Sequence, residues 1–246
     1  MRVVVAGATG LIGSKTVARL RDHGVEVVPV SRRNGVDVIT GTGLDKALRG
    51  AEVVVDVTDA PARTEEAGLR FFRTATANLL ASAGSAGVEH HVVLSLVGAE
   101  RLWSGYCRAK LTQEDQVRRS PIPHSIVRAA LSFETLEAMA LADTHQDEVH
   151  VAPALIRPVA TDDVAAAVAR VAVGLPLYGT LEVAGPEEYG LDTLTTKLLA
   201  AGGDTRGVVS DGRAGLFAEG LQERTLLPGM DAQIGRTSFG EWLAQR

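Results

Sequence analysis

The sequence predicts an α/β fold built on a doubly wound parallel sheet, and three observations predict it. The chain opens with an all-apolar run, Val3-Val4-Val5-Ala6, of the kind a strand buried on both faces shows. Gly7, Gly10 and Gly13 follow and lead into a helical pattern from Ser14 to His23. Buried strands then alternate with helices of about ten residues or more, the signature of βαβ units with right-handed crossovers.

The glycine turn comes first. Gly7 permits a sharp bend, Gly10 lets the backbone approach phosphate oxygens, and Gly13 lets the helix start pack against the first strand. Backbone N–H groups of Gly10, Leu11 and Ile12, with Thr9 beside them, then face a diphosphate at the positive end of the helix. The turn therefore reads as a dinucleotide site.

Gly24 caps this helix, and Val25 to Val30 is a second buried strand ending in Ser31-Arg32-Arg33. An acid at that strand end would bind a ribose 2′-hydroxyl, whereas arginine accommodates a 2′-phosphate. The chain offers Arg32 and Arg33 and no acid, which favours NADP(H) over NAD. Val36 to Thr40 predicts a third strand and Leu44 to Arg49 a short helix stopped by Gly50. Glu52 to Thr58 predicts a strand whose end, Asp59-Ala60-Pro61, borders the cofactor groove. A long helix from Thr64 to Ala86 precedes the strand His91 to Val97. Ser104 to Arg119 is helical, His124 to Arg128 a strand, Phe133 to Asp143 a helix, and His150 to Pro158 extended. Thr161 to Val173 is a helix and Thr180 to Ala184 the final core strand. Helices over Asp192 to Ala201, Arg213 to Gln222 and Ser238 to Gln245 complete the chain.

Chemistry gathers after the His91 strand. Tyr106 and Lys110 stand four residues apart and project from one face of a helix. A tyrosine with a pKa near 10 is a poor acid–base group at neutral pH, and an adjacent ammonium stabilises its phenolate. Ser95, at the carboxyl end of a core strand, can donate a hydrogen bond to the same substrate oxygen. A proton from Tyr106, a hydrogen bond from Ser95 and a hydride from the cofactor together make a carbonyl reduction.

The glycine turn, the arginines after the second strand, Asn78, and Tyr106 with Lys110 together resemble the short-chain dehydrogenase/reductase superfamily. Tyr-x-x-x-Lys-Leu-x-x-Glu from Tyr106 to Glu114, Ser125-Ile126-Val127-Arg128, Ile156-Arg157-Pro158-Val159 and Asp162-Asp163-Val164-Ala165 are similar to its atypical NmrA-like NAD(P)H-binding branch. The similarity runs from Met1 to about Gly185. It implies a Rossmann-type sheet of about seven parallel strands, NADP(H), and either reductase activity or dinucleotide sensing. It also implies that Lys110 holds the nicotinamide ribose. The chain departs from the family where the third strand ordinarily ends in Gly-Asp-Leu, reading Gly41-Thr42-Gly43-Leu44 instead.

Composition narrows the alternatives. Net charge is −5, with 46% hydrophobic residues, two Trp, three Tyr and five Phe, so neither a basic face nor a set of stacking aromatics for nucleic acid can be assembled. The single cysteine, Cys107, excludes an internal disulfide and fits a reducing cytoplasm. It lies about 100 degrees around the helix from Tyr106, which argues against a nucleophile. The six histidines show no metal-ligand spacing with it, and no metal is expected. No run reaches the roughly 18 apolar residues of a membrane span. The expected organisation is one domain over 1–246, with a core of 1–130 and 159–185 and a substrate region of 131–158 and 186–246. Leu131 to Arg157 is expected to close over the nicotinamide, and Phe133, Met139, Tyr178 and Trp103 are candidate pocket walls. The expected activity is NADPH-dependent reduction of a small, fairly apolar carbonyl, enone or quinone. The other class is a non-catalytic NADP(H)-binding regulator acting through a protein partner. A small-molecule substrate is the expected partner, and a homodimer is compatible with either class.

Overall fold

The computed structural model describes residues 1–62, 64–142, 147–212 and 221–245. Its first half runs β1 (Arg2–Ala6), α1 (Leu11–Asp22), β2 (Glu26–Val30), α2 (Leu44–Leu48), β3 (Val53–Asp56), α3 (Glu65–Ala86), β4 (His90–Leu96), α4 (Gly105–Arg119) and β5 (His124–Ala129). Next come α5 (Phe133–Ala142), β6 (Glu148–Val151), β7 (Leu155–Ile156), α6 (Thr161–Val173) and β8 (Thr180–Ala184). β9 (Tyr189–Gly190), α7 (Leu191–Ala201), β10 (Gly207–Ser210), β11 (Gln233–Ile234) and α8 (Phe239–Ala244) follow.

Seven strands form one sheet in the order β11-β8-β5-β4-β3-β1-β2, and every pairing is parallel. Strand alternation sends Val3, Val5, Val53 and Val55 to one face, under α1 and α6 with Leu20, Val164 and Val168. Val4 and Val54 go to the other, under α2 and α3 with Leu44, Leu48 and Leu79. Burial on both faces is why these strands read as continuous apolar runs. From β1 the chain steps outward to β2, then returns across β1 to β3. Their carboxyl ends mark the reversal, the crevice where open α/β sheets hold ligands.

The expected strand from Val36 to Thr40 does not form. Gly35, Gly41 and Gly43 flank it with positive φ, and the Asp37 carboxylate accepts from the Ile39 N–H at 2.7 Å within the segment. Asn78 on α3 donates to the Val38 and Ile39 carbonyls, both at 2.9 Å, so a side chain takes the place of a strand partner. The seventh strand is β11 instead, which pairs with β8 through two residues. Thr180 to Ala184 is accordingly not the last strand of the sheet. Tyr106 follows the fourth strand, not a fifth.

The segments after β5 build a second apolar cluster, in which Phe133, Leu136, Leu194, Leu198 and Trp242 are buried. The extended segment expected from His150 to Pro158 is split. β6 pairs with β10 in parallel and β7 with β9 antiparallel, in two small sheets of their own. Arg213 to Gly220 of one expected helix, and 143–146 of the expected loop, lie outside the described residues.

β4 buries two consecutive histidines, one on each face of the sheet. His91 is fully buried with no hydrogen-bond partner for either ring nitrogen. Burial lowers its pKa from 6.5 to about 4, against the pull of Asp56, with His124 lowering it further. His90 is lowered to about 4 as well, by burial and then by His91 and His124. Because the unfolded chain binds protons below pH 6.5 where the folded chain does not, stability is complete above 6.5 and falls as the pH drops towards 4. The limiting slope is about 1.4 kcal/mol per pH unit for each such histidine. Urea unfolding of the wild type and His91→Leu checks this. The variant should show the shallower acid loss, and parallel curves would contradict it.

Candidate cofactor and active site

The turn after β1 is as tight as its glycines require. A Cβ on Gly13 would lie 2.1 Å from the Gly7 carbonyl oxygen, and one on Gly7, whose φ is +83°, would lie 2.7 Å from that of Val57. Gly10 is the N-cap of α1, no side chain caps it, and the first turn holds no acid. The Gly10 N–H, expected to face a diphosphate, instead donates to the Gly7 carbonyl at 2.9 Å and closes the turn. The Leu11 and Ile12 amides at the positive helix end are left for that group, and the residues present fit it. Gly13→Ala is expected to destabilise the fold by about 1 to 3 kcal/mol and to weaken dinucleotide binding. Gly84→Ala, in a helix where the added Cβ meets nothing, is the control and should stabilise by about 0.4 to 1 kcal/mol. Thermal unfolding and cofactor titration check both, and equal effects would contradict the packing argument.

A cleft of about 800 Å³ runs from this turn across the strand ends. Gly7, Thr9, Gly10, Leu11 and Ile12 form its floor; Gly13 is packed beneath. Arg32 and Arg33 line one end from a single 3-10 turn after β2, both exposed. Asp59 lines the middle, whereas Ala60 does not, being packed with Phe72 and Ala109. Ser95, Tyr106 and Lys110 line the other end.

These three are held differently. Ser104 caps α4 by accepting from the Cys107 N–H, and Gly105 lets this helix start press on α3, since a Cβ there would lie 2.2 Å from that of Glu65. Tyr106 packs edge-on to Phe72 at 6.3 Å and donates its hydroxyl to Asp59 Oδ1 at 2.8 Å. Lys110 is only 5% exposed. Its Nζ donates to the Leu94 carbonyl at 2.7 Å and to Gln113 Oε1 at 2.6 Å, and stands 4.5 Å from the Phe72 ring centroid. Burial pushes its pKa down, while Asp59, Asp56 and Glu114 pull it up.

Ser95 is 5% exposed, and its Oγ makes no hydrogen bond of ordinary geometry. Its weak interaction with Glu114 is one of several that hold that carboxyl low against the opposing effect of burial, behind the hydrogen bonds from Arg128. Arg128 grips both oxygens of Glu114, at 2.9 and 2.8 Å, and so ties α4 to β5. Cys107 is buried, and burial raises its thiol pKa, the opposite of what a nucleophile needs. Among the described residues no three His, Cys, Asp or Glu side chains form a metal-binding group. No helix among them is long and apolar enough to cross a membrane.

The model of the NAD(P)H-binding family matches residues 7–173. The chain belongs to that family. The sequence resemblance to atypical short-chain dehydrogenase/reductases agrees with it. A search of curated proteins found no match. Several solved structures share this NAD(P)H-binding fold. MoeE5 in complex with UDP-glucuronic acid and NAD is 18% identical with a TM-score of 0.79, over 100% of this chain and 97% of that one. An NADPH-dependent quinone oxidoreductase from Escherichia coli is 19% identical with a TM-score of 0.70, over 100% and 99%. The Citrobacter sp. triphenylmethane reductase complexed with NADP(H) is 20% identical with a TM-score of 0.65, over 86% and 79%. At these identities the likeness concerns fold alone.

Several walls of the cleft escape sequence patterning. Asp37, Val38 and Ile39 line it from the segment read as a strand, and Phe71 from α3; Leu131 and Thr135 line it from the segment expected to close over the nicotinamide. The expected walls differ. Phe133 is 1% exposed and lies 5.1 Å from the Trp242 ring, inside the second core, where Met139 also packs. Tyr178 and Trp103 are 68% and 77% exposed and are not among the lining residues. Helical period marks Phe133 as apolar and inward, but cannot say which of two cores receives it.

Proposed function

We propose that this NAD(P)H-binding protein is an NADPH-dependent reductase of a small, uncharged, fairly apolar carbonyl, enone or quinone. The observation that carries the reading is that Ser95, Tyr106 and Lys110 line one cleft with the glycine turn after β1. A bound dinucleotide supplies the hydride. Tyr106 gives its proton to the substrate oxygen, Ser95 orients that oxygen, and Lys110 holds the ribose with its remaining N–H. Tyr106 must leave Asp59 to do so.

The substrate class follows from charge. Among the described lining residues the cations are Arg32, Arg33 and Lys110; the first two belong to the 2′-phosphate end, and two protons of Lys110 are already engaged inside the protein. Among those residues no cation is left for a diphosphate-bearing substrate such as the one MoeE5 holds. Oxidation of NADPH in the presence of quinones, ketones, enones and nucleotide sugars tests the reading. Turnover confined to the uncharged acceptors is expected, and none with any of them would reject it.

The bond from Tyr106 to Asp59 favours a second reading, a regulator that binds NADP(H) without turning it over. Such a protein must bind the oxidised and reduced forms, or its partner in the presence of each, unequally. Equal affinities, with no cofactor-dependent partner, would remove its mechanism.

A further inference from the structure

Lys110 is the terminus of a buried chain of polar groups. Gln113, fully buried one turn further along α4, accepts from Lys110 Nζ through Oε1 at 2.6 Å. Through Nε2 it donates to Asp56 Oδ2 at 2.8 Å. Asp56 is fully buried too, and its Oδ1 accepts from the Thr58 N–H at 3.0 Å and the Thr58 hydroxyl at 2.6 Å. Each group uses its donors and acceptors in the one sense that suits an ammonium at one end and a carboxylate at the other. An amide reversed at Gln113 would set N–H against ammonium and oxygen against carboxylate. A buried cation is costly unless an opposite charge and hydrogen bonds compensate it.

We propose that Asp56, acting through Gln113, is the counter-charge of Lys110 and the positioning residue that fixes its ammonium at the cleft. Two other carboxylates face Lys110. Asp59 exerts the larger direct pull but is exposed and accepts from Tyr106, and Glu114 is held by Arg128 and Arg118. α3 contributes the Phe72 ring. On its far side Asp56 faces buried His91, which is uncharged above a pKa of about 4. The consequence for catalysis rests on the proposed role of Lys110 at the ribose; the counter-charge itself does not.

The test is a titration of the whole protein carrying ¹³C-labelled lysine, with the Lys110 signal identified by its loss in Lys110→Met. Asp56→Asn should lower the Lys110 midpoint by about one pH unit, because the opposite charge has been removed. Asp56→Asn with Gln113→Glu, which restores one negative charge in the chain, should raise it again, a rescue that a merely structural role would not produce. If Asp56→Asn does not fold, Gln113→Met cuts the link with Asp56 in place, and the same downward shift is expected. An unchanged midpoint in the folded variant overturns the proposal. NADPH affinity as a function of pH separates the two readings. It should fail at lower pH in Asp56→Asn than in the wild type. If Lys110→Met binds NADPH as tightly as the wild type, the ribose role of Lys110 is wrong, while the lysine titration still decides the counter-charge.

Discussion

Tyr106→Phe is expected to keep NADPH affinity and to lose turnover by about 10²- to 10⁴-fold, the worth of a positioned general acid. The ring should stay where it is, because its edge-on contact with Phe72 needs no hydroxyl, so folding and the cleft wall are preserved. What disappears is the proton for the substrate oxygen and the bond to Asp59. Steady-state kinetics on the best acceptor, with cofactor binding measured alongside, separates the two. A fall in kcat at constant cofactor affinity identifies a group used in the transition state. Equal turnover in both proteins would make Tyr106 a bystander.

Replacing Arg32 and Arg33 together by alanine is expected to weaken NADPH binding by about 10- to 100-fold while leaving NADH binding unchanged. Both side chains are exposed and line the cleft end after β2, so their replacement leaves the packed core intact. Guanidinium groups match phosphate oxygens in a bidentate way, which makes the preference specific to the 2′-phosphate. Exposure also means screening, so the preference of the wild type should narrow as salt rises. Calorimetric titration of both dinucleotides reads these outcomes. Tighter NADH than NADPH binding by the wild type would overturn the assignment.

The parts of the fold legible in the sequence are those whose burial is complete. Val3 to Ala6 and Val53 to Val55 are apolar because helices cover both sheet faces, and that pattern has no other common source. Val36 to Thr40 has the same β-branched content, yet Asn78, nearly forty residues away, holds its carbonyls in a turn. Local propensity cannot register a side-chain partner so distant. β11 is missed for the opposite reason, since two residues make the whole strand. At the site, Gly7, Thr9 to Ile12, Arg32, Arg33, Ser95, Tyr106 and Lys110 line one cleft because each sits near a strand end or helix start that the alternation locates. The polar chain from Lys110 to Asp56 is not legible in this way. Its members lie on β3 and α4, and their joining depends on how far α4 sinks onto the sheet, which Gly105 and Gly68 permit by close approach to α3.

The central claim is that one cleft brings an NADP(H) site, with Lys110 at the ribose, and the Ser95 and Tyr106 side chains to the same reacting group. A crystal structure of the NADP⁺ complex tests it most directly. The account predicts the diphosphate over the Leu11 and Ile12 amides, the 2′-phosphate against Arg32 and Arg33, and Tyr106 turned from Asp59 to within hydrogen-bond reach of a substrate oxygen beside the nicotinamide. A nicotinamide lying out of reach of Tyr106 and Ser95, with the tyrosine still bonded to Asp59, would contradict it.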